Sequence, residues 1–267
     1  MEEYTLMQET QPTTATMTKS IEINRSFWRT PAITIARLTL ESYFRSGWMW
    51  AEFVLVLVFF AALFFPFQED VPYFYGTSNW DLSAIAVLGA AIMVRQATSA
   101  RTYVLLARLS SRVSYSRGLM LATAALRIPI FLFMLLLVLF AHRLINPTVD
   151  RIFIGAIGIL PTTMLVSILT VALSSPMATR LKRIFFLVWI AVVLFSISPI
   201  FALPVSVLNV LAIVRVPLWP ISACYQMSVS GTISLTGALG MIFVGVYIMG
   251  LALVAGKWLE RRELLLY

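Results

Sequence analysis

This chain has one cysteine and one histidine in 267 residues, and only 12% of it is charged. Each scarcity removes a class of function. A lone cysteine, Cys224, cannot close an intrachain disulfide or build a cysteine cage for a metal, so it says nothing of the redox compartment. The single histidine, His142, stands beside Arg143 with no His-Glu-x-x-His spacing and no second ligand type nearby. That argues against a metal centre, which needs several converging ligands. There is no Gly-x-x-x-x-Gly-Lys-[Ser/Thr] phosphate loop, so this chain does not bind ATP in the P-loop manner. A Gly-x-Ser-x-Gly nucleophile elbow is also missing, and no pair of aspartates lies within an apolar run, which disfavours an aspartyl intramembrane protease. Residues 1–20 are rich in Thr, Gln and Glu. They lack the apolar core of a secretory signal peptide.

What is present is hydrophobic: 60% of the residues, far above globular averages. Six long apolar runs stand out, Gly47–Phe65, Leu82–Val94, Leu119–Ala141, Ile152–Leu173, Ile184–Leu203 and Leu235–Ala255. Most approach the ~20 residues that a helix needs to cross a bilayer. The second is short, and it spans only if Trp80 and Asp81 sit at one interface and Arg95 snorkels at the other. The expected fold class is therefore an all-α polytopic membrane protein with six transmembrane helices. Residues 25–262 form one membrane domain, between a disordered tail over 1–24 and a short tail over 263–267. No soluble segment is long enough to hold a separate domain.

The net charge of +8 follows the topology. Sixteen of the twenty Lys and Arg residues precede the first run, lie between runs two and three or four and five, or follow run six. The alternate side carries only Arg143, Arg151 and Arg215, while Arg127 lies inside run three. This asymmetry puts both termini in the cytoplasm. Anionic headgroups explain the basic excess, and no nucleic-acid partner is expected.

Three connecting segments carry further information. Thr30-Pro31 is a helix start, with a capping hydroxyl followed by proline at the first helical position. Arg37, Glu41 and Arg45 follow at four-residue steps on one face, with Ile33, Ala36, Leu40 and Tyr43 to one side of it. This reads as an amphipathic helix along the cytoplasmic interface, turning at Ser46-Gly47 into run one. It serves either as an anchor or as a docking arm. The segment Gln68–Trp80 has Pro66, Pro72 and Gly76 in or beside it and reads as an outer loop, with Tyr73, Phe74, Tyr75 and Trp80 as an interfacial belt.

Between runs two and three, Arg101, Arg108 and Arg112 fall within about 40° of one another on a helical wheel. Leu105 borders that basic stripe, and Gly118 marks re-entry into run three. No acid occurs between Asp81 and Asp150, so the stripe meets lipid phosphates, water or another protein's carboxylates. Runs five and six are joined by Pro204–Ser234. Its apolar Val205–Val216 stretch is too short to span, and Pro217, Pro220 and Gly231 follow it. It fits a re-entrant or interfacial outer segment, because irregular backbone at membrane depth needs protein or a cavity to cover it.

Glu52 and Arg127 are the charges most clearly inside runs. Intramembrane charges usually face an interior partner, and each should lie in the cytoplasmic half. A Glu52–Arg127 pair is expected, with Arg95 as the rival partner. Pro129 and Pro161 are expected to mark kinks.

The order of these features resembles the membrane subunit of type-2 ATP-binding-cassette (ABC) exporters over residues 25–262. A cytoplasmic amphipathic helix precedes run one, a basic helix around Tyr103-Val-Leu-Leu-Ala-Arg108 separates runs two and three, and a proline-broken outer segment separates five and six. The resemblance implies a permease that pairs with an identical or related copy around a central path. It also implies that ATP and Mg are held by separate cytoplasmic ATPase subunits, with no cofactor and no catalysis in this chain, in a plasma (inner) membrane. Arg101, Tyr103, Leu105, Arg108, Arg112 and Arg117 would form the ATPase-coupling helix. Arg37, Glu41 and Arg45 would belong to the connecting helix, and Pro204–Gln226 to the re-entrant helices that close the exit. Two other readings stand beside it, a membrane assembly or regulatory subunit that moves nothing, and an intramembrane lipid-modifying enzyme.

Overall fold

The computed structural model describes residues 31–97, 112–174 and 216–261, with six separate positions between 181 and 192. The expected fifth run, most of Val205–Val216 and the stripe residues Arg101, Tyr103, Leu105 and Arg108 lie outside the described residues. The described elements are helices, apart from two two-residue strands. Helix α1 covers Pro31–Arg45. Helix α2 covers Trp48–Phe59 and closes in a π turn over Phe60–Phe64. Strand β1 is Glu69–Asp70, α3 is Val71–Ala97, and α4 is Arg112–Phe140. Strand β2, Leu144–Ile145, pairs in parallel with β1. Then come α5, Val149–Ala172, a 3₁₀ turn at Val216–Leu218, α6, Trp219–Ser230, and α7, Leu235–Arg261.

Four of these helices, α3, α4, α5 and α7, are long and apolar enough to cross a membrane. A fifth crossing is available if α1 and α2 together count as one bent span, with an angle of 69° between them. The bend has a local cause. Gly47 adopts φ +79° at the elbow, a left-handed conformation that costs an L side chain about 1–2 kcal/mol and a glycine little. The turn expected at Ser46-Gly47 is therefore present. On its docked side α1 buries Ile35, Ala36 and Tyr43 while Arg37, Glu41 and Arg45 face outward. Arg45 and Glu41 pair at 2.6 Å, an exposed contact of little energetic weight. The helix does not float. It lies against the first turns of α4, where Gly118 meets the Ala32 carbonyl and the Ile35 side chain.

Three expectations are corrected. Gln68–Trp80 is not an outer loop, because α3 begins at Val71, eleven residues before the predicted second run. Pro72 sits in the first helical turn, where its missing N–H removes no bond. Of the expected aromatic belt, Phe74 and Tyr75 are buried, as are Gly76, Thr77, Ser78 and Asn79, while Tyr73 is exposed and Trp80 half-buried. Asp81 likewise is not at the end of the helix but lies within it, buried against protein at 3% exposure. The polar stretch looked like a loop because a lipid-facing helix excludes such residues, but α3 faces protein here. It is the central helix and packs on α2, α4, α5 and α6. Third, Gly118 is no re-entry hinge. Helix α4 begins at Arg112 and runs through Gly118 unbroken, so Arg112 and Arg117 belong to this long helix. Helices α4 and α5 also continue through Pro129 and Pro161.

Helix α6 is short and more than half of its residues are buried, with Pro220 near its start and Gly231 in the left-handed conformation at its end. It is wedged between α5 and α7. The close approach is possible because Gly158 of α5 abuts the Cys224 carbonyl and Gly240 of α7 abuts Ala223. Tyr247 of α7 donates to the Pro217 carbonyl at 2.7 Å. Helix α7 turns most of its surface outward, with Ile242, Val246 and Met249 exposed. Among the charged expectations, Arg95 is exposed in the last turn of α3, and Arg117 is exposed on α4.

Candidate functional site

Two buried polar centres lie along α3. The first joins four helices. Glu52 of α2 and Arg127 of α4 are 5% and 2% exposed, and Arg127 Nη2 lies 3.0 Å from Glu52 Oε2. The same nitrogen donates to Oε1 at 3.3 Å, and Arg127 Nε donates to the Thr123 carbonyl at 3.2 Å. Tyr43 of α1 donates its hydroxyl to Glu52 Oε1. Burial, and then the adjoining Glu52 carboxylate, push the Tyr43 hydroxyl far above its ordinary range, so it remains a donor. Gly89 of α3 completes the site, because any Cβ there would collide with the Glu52 carboxyl group. Thus Glu52 pairs with Arg127 and not with Arg95.

Isolated, either charge would be expensive when buried like this. Paired, and held by a tyrosine and a backbone carbonyl, the two tie α1, α2, α3 and α4 together at one end of the bundle. The sequence exposes Glu52 and Arg127 because they interrupt apolar runs. It does not expose Tyr43 or Gly89, since an aromatic near an interface and a glycine in a run are unremarkable without their neighbours.

At the same end, α3 stops at Ala97 and α4 starts at Arg112. Tyr115 donates to the Ala97 carbonyl at 2.7 Å in a buried bond, and Gln96 donates to Ser46 at 3.0 Å. The connection carrying Arg101 and Arg108, with Arg112 at the first position of α4, therefore leaves and returns at clamped points beside the α1–α2 elbow. Tyr115→Phe leaves a buried C-terminal carbonyl without its donor and is expected to cost about 1–3 kcal/mol. Thermal unfolding in detergent, compared with Tyr103→Phe, checks this.

The second centre was missed by sequence reasoning. Thr77, Ser78, Asn79, Asp81 and Ser83 are each at most 3% exposed. Thr77 Oγ1, Ser78 Oγ, Asn79 Oδ1, Asp81 Oδ2 and Ser83 Oγ have no hydrogen-bond partner among the described residues. The signal that could have found it is a proline-started helix at 71–72, which would place Asp81 well inside a spanning helix. A third feature is apolar, an open groove of about 480 Å³ between α4 and α5 lined by residues such as Phe131, Leu135, Phe153 and Leu160. His142 lies outside all three, exposed in a tight loop with φ 51°.

Long apolar helices around buried, mutually compensating charges define a multi-pass helical membrane protein. No family model, curated protein or solved structure matches the chain.

Proposed function

We propose that this chain is the permease subunit of an ATP-driven exporter of the type-2 ABC class, paired with a second copy or paralogue and driven by separate cytoplasmic P-loop ATPase subunits that hold ATP and Mg. One observation carries the reading. An amphipathic helix is locked to three neighbouring helices at the same end of the bundle where the basic α3–α4 connection emerges with clamped ends. A lever that transmits force needs such a footing. Push on the connection, and the load passes through Tyr115 and the Glu52–Arg127 pair into α2, α3 and α4 as one block. Helix α1 then serves as the connecting helix, with Arg37, Glu41 and Arg45 facing the aqueous side. The basic stripe, with Arg117 at its α4 end, faces acidic residues of the ATPase. The buried α6 wedge ahead of the last span supports the re-entrant reading of Pro204–Gln226 and a non-cytoplasmic exit.

The test is affinity purification in mild detergent, with the wild type and with Arg101, Arg108 and Arg112 changed to Ala. Wild type is expected to bring a soluble P-loop ATPase, identified by mass spectrometry, and the triple variant to lose it while keeping the wild-type unfolding midpoint. A folded wild-type protein that recovers no ATPase sinks the proposal and moves attention to lipid turnover.

A further inference from the structure

We infer that the Asp81 carboxylate, flanked by the Thr77 and Ser78 hydroxyls, is a binding site for a small monovalent cation. Thr77 and Ser78 precede Asp81 by four and three residues, so the three share one face of α3. All are buried, at 0%, 0% and 3% exposure, and each presents an oxygen with no partner among the described residues. Most buried hydroxyls elsewhere in the bundle are satisfied, Ser174 just beyond α5 being an exception. Thr123 on α4, Thr162, Thr163, Ser167 and Thr170 on α5, and Ser228 on α6 all donate to a carbonyl three or four residues back in their own helix. The unspent oxygens are thus concentrated on residues 77–83 and do not reflect a general habit of these helices.

A carboxylate at this depth requires a counter-charge. Among the described residues Asp81 forms no ion pair, whereas Glu41 and Glu52 are paired with Arg45 and Arg127. Gly89, which marks the Glu52–Arg127 pair on α3, is eight residues and about 12 Å further along the axis. The helices packed on α3 bring Glu52 from α2 and Arg127 from α4, already spent on each other. They also bring Asp150 and Arg151 in the first turn of α5, and Cys224 and Tyr225 from α6. Asp81 is the one acidic residue of α3, and a single negative charge suits a singly charged ion. Divalent cations are usually held by several carboxylates. The near-zero exposure of the three side chains suits a bare ion better than an organic ammonium. Sodium and the proton share this chemistry and compete for one carboxylate. The inference stands whether or not the chain works with an ATPase.

The experiment uses the full chain in detergent. Unfolding midpoints are measured in sodium chloride against choline chloride at equal ionic strength over a pH series, alongside infrared spectra of the carboxyl C=O band. A sodium site raises the midpoint with sodium, an effect that fades as pH falls and is absent in Asp81→Asn. A proton site shows no sodium response but a protonated-carboxyl band that disappears as pH rises and is missing in Asp81→Asn. A wild type with neither response overturns the inference, as does an Asp81→Asn variant that keeps the response. Should Asp81→Asn not fold, the Thr77→Val/Ser78→Ala variant, which retains the carboxylate, decides. It is expected to weaken sodium binding about tenfold or to shift the pH at which the band disappears, and an unchanged response overturns the proposal.

Discussion

Arg127→Met with Glu52 intact is expected to destabilise the protein by about 3–5 kcal/mol, and Glu52→Gln with Arg127 intact by a similar amount. The Glu52→Gln/Arg127→Met double variant is expected to be more stable than Arg127→Met alone. The reason is desolvation. Both groups are at most 5% exposed, so removing one partner strands the other in a medium that cannot solvate it. Glu52 would keep only the Tyr43 hydroxyl, and Arg127 only the Thr123 carbonyl. Removing both leaves a polar but uncharged amide beside an apolar chain, a smaller penalty. Equilibrium unfolding of purified protein, read as a double-mutant cycle, checks this. A double variant no better than the worse single variant would mean that the pair is not an energetic unit. The cycle also reports on α1, because the Tyr43 bond ends on the same carboxylate. Tryptic cleavage after Arg37 and Arg45 should quicken in Glu52→Gln.

Gly118→Ala is the second large effect. A Cβ at this position would lie 2.7 Å from the Ala32 carbonyl oxygen and 2.7 Å from the Ile35 Cβ. One of these atoms is backbone and the other is fixed to it, so neither can move aside as a flexible side-chain tip can. Helix α1 must shift away from α4. Overpacking of this kind typically costs about 1–3 kcal/mol, and the displacement also draws Tyr43 from Glu52. The control is Gly245→Ala on α7, where nothing lies within 4 Å of the added Cβ. There, helix propensity alone acts, and the change is expected to be neutral or stabilising by up to about 1 kcal/mol. Thermal unfolding of both variants, with proteolysis at Arg37 and Arg45, distinguishes undocking of α1 from general destabilisation. Equal midpoints for the two variants would refute the close contact. If α1 is the footing of a coupling surface, Gly118→Ala also reduces ATPase recovery without touching Arg101, Arg108 or Arg112.

The elements that could be read from sequence share a property: their signal is local. Helices α4, α5 and α7 coincide with apolar runs because lipid-facing surface demands hydrophobic side chains along the whole element. The α1–α2 elbow could be read from Pro31, the four-residue spacing of Arg37, Glu41 and Arg45, and Gly47, since each acts within one turn of itself. Glu52 and Arg127 stood out because a charge inside an apolar run must have company. Their choice of each other over Arg95 followed from depth, as Glu52 and Arg127 each lie a few residues inside a run that starts on the same side.

What failed to show locally was the first half of α3. Pro72, Gly76, Ser78, Asn79 and Asp81 have the composition of a turn, yet they form part of a largely buried helix. Hydropathy measures preference for lipid, and a central helix shielded by α2, α4, α5 and α6 meets little lipid. The sequence by itself thus determined a helical membrane protein, its amphipathic entry helix, and two charges that needed compensation. Only the tertiary structure decided that α3 is central and that Tyr43 and Gly89 complete the Glu52–Arg127 site. It also decided that Asp81 lies inside the bundle rather than at its edge. Burial of a polar helix is set by what surrounds it, and its neighbours lie up to about 150 residues away in the chain, beyond the reach of any window along the sequence.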